Sequence, residues 1–113
     1  MEGGQRMKDE MRKQLVLELF KIFGKSIEKI VLYGSVARGD DTPESDIDIA
    51  VILHDYTKEM YNDMMECLVE MDSQYNKVFS VLLIDYDKFM YWEDIIPFYK
   101  NINEEGVVLW KAA

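Results

Sequence analysis

Two apolar runs, separated by a cluster of turn-forming residues, constrain the fold of this chain more than any other feature. The first run covers residues 27–33, is densest over 30–33 and ends at Gly34, and the second covers residues 47–53. Short runs rich in β-branched and aromatic residues are typical of buried strands. The intervening residues 40–45, Asp-Asp-Thr-Pro-Glu-Ser, are mostly turn formers and predict a surface loop. The sequence therefore predicts two strands, one ending at Gly34 and one starting near Ile47.

Hydrophobic periodicity predicts the remaining elements. They are helices over 7–23 and 57–75, a third strand over 77–84, a helical patch over 86–91, a segment over 98–102 and a closing run over 105–110. Because no repeat or linker separates these elements, we predict one α+β domain over residues 1–113. Residues 1–6 are expected to be a leader without function, and Met7 is an alternative start.

The composition limits the partners of the chain. Its net charge of −9, from 22 acidic and 13 basic residues, has the wrong sign for neutralising nucleic-acid phosphates, so general DNA or RNA binding is not expected. The single cysteine, Cys67, agrees with a reducing, cytoplasmic location. No stretch is long and apolar enough to cross a bilayer, so no membrane partner is expected. An anionic ligand must therefore be bound by a metal ion or by a few placed groups.

Two aspartates at the start of the second strand predict a metal site. Successive side chains of a strand point to opposite faces, so Asp46 and Asp48 share one face. Paired carboxylates suit Mg²⁺, which takes its remaining ligands from water and substrate phosphates. The pattern therefore predicts a site for a nucleoside triphosphate with magnesium, one ion or two.

A second polar segment directly follows the first strand. Gly34 lets the backbone approach a phosphate, and Ser35 is predicted to cap the short helix that starts there. One helical turn later, Arg38 can offer its guanidinium to phosphate oxygens, and Gly39 ends the turn. Together with Asp46 and Asp48, these residues suit the transfer of a nucleotidyl group to an acceptor hydroxyl.

These segments resemble the signature of the minimal nucleotidyltransferases, small relatives of kanamycin nucleotidyltransferase and of the DNA polymerase beta palm. The likeness is carried by Leu-Tyr-Gly-Ser-Val-Ala-Arg-Gly over 32–39 and Ser-Asp-Ile-Asp-Ile over 45–49, with Gly-Ser and Asp-x-Asp at the family's spacing. It implies a polymerase beta-like fold with a mixed central sheet and helices packed on it. It also implies that Asp46 and Asp48 bind metal and act in catalysis, and that Gly34, Ser35 and Arg38 bind ATP or another nucleoside triphosphate.

One position departs from the family pattern. Catalytic members carry a third carboxylate on the next core strand, where this chain has Ser80 between Phe79 and Val81. Serine is a neutral, weak magnesium ligand. Asp85 has the opposite strand parity to Ser80 and is predicted to be a helix N-cap instead.

Three functions follow from the resemblance. The first is a transferase, and the second is a catalytically degenerate, antitoxin-like binder of a HEPN-domain toxin. The third is a small-molecule modifier that needs a partner or a homodimer to complete its acceptor pocket. The late aromatic residues are predicted to pack inside, with any that remain exposed marking a partner surface. They are Tyr86, Phe89, Tyr91, Trp92, Phe98 and Tyr99.

Overall fold

The computed structural model describes residues 8–113, which form five α-helices and one four-stranded sheet. The leader over residues 1–6 and the alternative start at Met7 lie outside the described residues. The elements are α1 (Asp9–Phe23), β1 (Ile27–Tyr33), α2 (Gly34–Arg38), β2 (Ile47–Leu53), α3 (Lys58–Tyr75), β3 (Phe79–Asp85), α4 (Tyr86–Trp92), α5 (Pro97–Glu105) and β4 (Val107–Lys111). A single 3₁₀ turn, Gly24–Ser26, joins α1 to β1.

The sheet has the strand order β3-β2-β1-β4 and is mixed, as the resemblance implied. β1 pairs antiparallel with both β2 and β4, whereas β2 and β3 run parallel. The parallel pair needs a crossover connection, which α3 provides. The N-terminal ends of β2 and β3 therefore lie beside the C-terminal end of β1, where α2 begins.

One face of the sheet carries the larger core. Alternate residues of β1 and β2, such as Ile30 and Ile49, pack there against α1 and α3. α1 buries residues at i, i+4 spacing, and α3 buries Met64, Leu68 and Met71. Thr57 caps α3, because its Oγ1 accepts a hydrogen bond of 3.1 Å from Met60 N. Apolar burial on this face is the main stabilising term of the fold.

The opposite face is covered less completely, by the short helices α4 and α5. Its buried residues are Val31, Ala50, Ile52, Ile84, Phe89 and Ile102. α5 comes close to β1 at Gly106, where an added Cβ would overlap both Ile102 O and Val31 Cγ1. Only glycine fits at this point, so Gly106 sets how closely α5 packs on the sheet.

The structure confirms the predicted helices and strands, with shifts of one or two residues at the ends of most of them. The expectation that the late aromatics pack inside is wrong for three of them. Tyr91 is 73% exposed, and Trp92 and Phe98 are each 39% exposed. Two short helices cannot shield so many large side chains on one face. Within residues 8–113, no helix has the length and apolar content required to cross a membrane.

Candidate functional site

Asp46 and Asp48 lie where β2 begins, at the edge of the sheet next to the start of α2. The backbone pairing of β2 with the segment that leads into β3 begins at Ile47, whose N–H donates a hydrogen bond of 2.8 Å to Val78 O. The side chain of Ile47 is buried in the larger core. Because the backbone is extended here, Asp46 and Asp48 lie on the opposite face, with Asp46 exposed and Asp48 half-buried.

The backbone of Gly34 lies directly against the Asp48 carboxylate. Gly34 has a φ of +77°, and an added Cβ would overlap Asp48 Oδ2 and lie 3.2 Å from its Cγ. A side chain at this position would therefore be strained in its backbone and would displace the carboxylate. The glycine of the Gly-Ser pair and the second aspartate of Asp-x-Asp meet in space, although 13 residues separate them.

The charge on Asp48 is disfavoured in the absence of a cation. Its pKa is raised, first by burial and then by the neighbouring Asp46 carboxylate, while Arg38 opposes the shift. Burial and the charge of Asp48 also raise the pKa of the Tyr33 phenol. A bound cation would relieve both effects, so the two carboxylates and the glycine cradle fit a magnesium ion that keeps waters and phosphates as its other ligands.

The structure corrects the expected role of Ser35. Tyr33 is the N-cap residue of α2 and makes no side-chain cap hydrogen bond, so the prediction that Ser35 caps this helix is wrong. The reason is that α2 already begins at Gly34, which places Ser35 inside the first turn. Gly39 ends the helix in the left-handed conformation, with a φ of +81°, as predicted.

Arg38 lies on the same side as Asp48 but is held by two acidic residues. Its Nε lies 3.3 Å from Asp40 Oδ2, and its Nη1 lies 3.9 Å from Glu105 Oε1. Both pairs are exposed, so each contributes little and can exchange for a phosphate. Arg38 also lines a cleft of about 220 Å³ with Tyr33, Gly34 and residues of α5.

Ser80 lies next to Asp48 across the parallel β2–β3 ladder. Paired residues of a parallel ladder point to the same face, so Ser80 occupies the place where the resemblance called for a third carboxylate. Asp85 pairs with Leu53 at the far end of β3 and accepts a hydrogen bond of 3.0 Å from Lys88 N. It is the N-cap of α4, as predicted. No group of three His, Cys, Asp or Glu side chains that could hold a metal forms among residues 8–113.

Sequence reasoning missed Tyr33 as a site residue. Tyr33 pairs with Asp48 across β1 and β2, and its ring meets Phe98 edge to face at 5.5 Å. Strand parity could have placed Tyr33 on the Asp48 face once the register was known. The approach of α5, which brings Phe98 and Glu105 to the site, has no local sequence signal.

This fold, with a Gly-Ser turn meeting an Asp-x-Asp strand, defines a nucleotidyltransferase-type protein. The model of the family described as "Polymerase beta, Nucleotidyltransferase" matches residues 17–112, and the chain belongs to that family. It is 32% identical over 108 residues to a Methanocaldococcus jannaschii protein provisionally named a protein adenylyltransferase, covering 87% of this chain and 93% of the relative.

Two solved structures show the same fold. One is a chain of a toxin–antitoxin complex with AMP-PNP, with a TM-score of 0.55, 22% identity and coverage of 88% of this chain and 73% of that chain. The other comes from a complex of a tri-AMPylated Shewanella oneidensis HEPN toxin with its MNT antitoxin. Its TM-score is 0.51 at 19% identity, with coverage of 93% and 74%. The expected resemblance to minimal nucleotidyltransferases of this kind is confirmed.

Proposed function

We propose that this chain binds ATP or another nucleoside triphosphate with magnesium and transfers the nucleoside monophosphate to a hydroxyl of a partner protein. The observation that carries the proposal is the contact between the Gly34 backbone and the Asp48 carboxylate, with Asp46 on the same face. A phosphate-binding turn and a metal-binding pair would then act on one triphosphate.

Each residue has a role that its position supports. Asp46 and Asp48 would hold magnesium, which when bound polarises the α-phosphate and stabilises the leaving pyrophosphate. Gly34 gives a phosphate access to the backbone, and Ser35 offers its hydroxyl nearby. Arg38 can leave its exposed pairs with Asp40 and Glu105 to bind phosphate oxygens, because a triphosphate carries more negative charge than a single carboxylate.

The names of similar proteins support a protein as the acceptor and an adenylyl group as the group that is transferred. One relative carries the provisional name of a protein adenylyltransferase, and one structure of the same fold contains an AMPylated HEPN toxin. Another structure of this fold was solved with AMP-PNP. On these grounds a HEPN-domain protein is the proposed partner and ATP the proposed donor. The single cysteine supports the cytoplasm as the proposed location.

Ser80 favours a second candidate, in which the chain binds nucleotide and partner without turnover. It lies beside Asp48 where a third carboxylate would activate the acceptor hydroxyl, and a serine has no negative charge with which to do so. The two candidates share the nucleotide site and differ only in the chemical step.

Labelling with ATP that carries isotope in its α-phosphate tests the proposal. With magnesium and a HEPN-domain protein as acceptor, we expect label on the acceptor, and at least a hundredfold slower labelling with Asp46→Asn or Asp48→Asn. Asp63→Asn, at an exposed position of α3, is the matched control and should label normally. Label unaffected by Asp46→Asn would show that the assigned site is wrong. Labelling that appears only after Ser80→Asp would favour the second candidate.

A further inference from the structure

A group of large apolar side chains is exposed within nine residues of the chain. We call it the 90–98 surface, which consists of Met90, Tyr91, Trp92, Ile95 and Phe98. Tyr91 is 73% exposed and Ile95 is 64% exposed. The rings of Tyr91 and Trp92 meet at 4.7 Å, and the N–H of Ile95 bonds back to Trp92 O. Aromatic residues and methionine are enriched in protein interfaces, and Trp and Tyr often carry most of the binding energy.

The 90–98 surface is joined to the candidate site. Phe98 packs edge to face on Tyr33, and Tyr33 pairs with Asp48. Phe98 also lines the cleft that contains Gly34 and Arg38. A second exposed apolar row, formed by Tyr61, Met65 and Val69 at i, i+4 spacing, lies on α3, which packs on the other face of the sheet. The 90–98 surface reaches the Gly34–Arg38 cleft through Phe98, so a molecule docked on it would extend towards Asp48.

Charge indicates what kind of molecule docks there. Residues 85–105 carry six carboxylates and two lysines, a net charge of −4. Asp87 and Asp94 flank the exposed apolar residues and are themselves exposed. Two copies of this chain meeting face to face would bring these like charges together, which opposes self-association. The complementary surface is apolar at its centre and bordered by lysine or arginine.

We propose that the 90–98 surface docks the acceptor protein, which presents an apolar patch bordered by basic residues and thereby places its hydroxyl at Asp46 and Asp48. This inference rests on the proposed function and names the surface that selects the acceptor. The alternative of a homodimer at this surface conflicts with its acidic border.

Site-specific photocrosslinking in cells that naturally produce the chain tests the docking. Tyr91 is replaced with benzoylphenylalanine, and Tyr61 is replaced in the same way as a matched control on α3. We expect a light-dependent adduct at position 91 with one identified heterologous protein, mapped by mass spectrometry to an apolar segment next to lysine or arginine. The same adduct should be at least tenfold weaker at position 61. A dimer of this chain, a lipid adduct, no adduct, or equal adducts at both positions would overturn the proposal.

Two further variants separate docking from chemistry. Asp46→Asn should keep the adduct at position 91, because this surface does not use the metal ligands. Asp94→Lys should weaken the adduct severalfold by reversing a border charge, whereas Asp63→Lys should not. If docking persists while wild-type transfer is absent, the proposed function fails and the docking surface stands. If transfer occurs but the adduct at position 91 is absent, or is unchanged by Asp94→Lys, the docking surface fails instead.

Discussion

Replacing Gly34 with alanine should destabilise the fold in two separable ways. Alanine at a φ of +77° costs about 1–2 kcal/mol in backbone strain. Its Cβ would also overlap Asp48 Oδ2, and turning the carboxylate away from its preferred rotamer adds about 0.5–1.5 kcal/mol. Gly39→Ala is the matched control, because Gly39 has a similar φ of +81° and nothing within 4 Å of an added Cβ. Gly34→Ala should therefore cost about 0.5–1.5 kcal/mol more than Gly39→Ala in urea unfolding.

A double-mutant cycle with Asp48→Ala isolates the overlap. Removing the carboxylate deletes the two Asp48 atoms that lie closest to the new methyl and keeps the Asp48 Cβ at an ordinary 3.4 Å. Gly34→Ala should then cost about as much as Gly39→Ala, with a coupling energy of about 0.5–1.5 kcal/mol in the cycle. Equal costs for the two glycine variants, together with no coupling to Asp48, would refute the contact between the Gly-Ser turn and the aspartate strand.

Three further outcomes follow from the same structure. Gly106→Ala should lower the free energy of unfolding by about 1–3 kcal/mol, since its Cβ would overlap Ile102 O and Val31 Cγ1. Ser80→Asp should lower the melting temperature by about 4 °C in EDTA, because it adds a carboxylate beside Asp48, and magnesium should reverse the loss. The raised pKa of Asp48 means that the folded chain holds its proton more tightly than the unfolded chain, so its ionisation destabilises the fold. Asp48→Asn should therefore stabilise the metal-free chain at about pH 7, and urea unfolding should show the gain shrinking as the pH falls towards about 4.

Local sequence signals predicted the elements of the fold because each element follows its own periodicity. The runs ending at Gly34 and starting at Ile47 became β1 and β2 with the expected bounds, and Asp85 became the cap of α4. The start of α2 was less predictable, since a glycine with positive φ allowed the helix to begin before Ser35.

Contacts between distant segments had no such signal. The meeting of Gly34 with Asp48 depends on the register of β1 and β2, and the approach of Phe98 to Tyr33 depends on how α5 packs at Gly106. The sequence also did not predict that Tyr91 is exposed. An aromatic residue suggests a core position in sequence whether or not a helix covers it. Sequence thus nominated the residues of the candidate site but did not predict which neighbours the structure places around them.

A single reaction with doubly labelled ATP tests the central claim most directly. The α- and γ-phosphates carry different isotopes, and the wild-type chain is incubated with magnesium and a HEPN-domain protein. Nucleotidyl transfer predicts the α-label on the acceptor and the γ-label in released pyrophosphate. The γ-label on the acceptor, or the α-label recovered entirely as unreacted ATP, would contradict the claim.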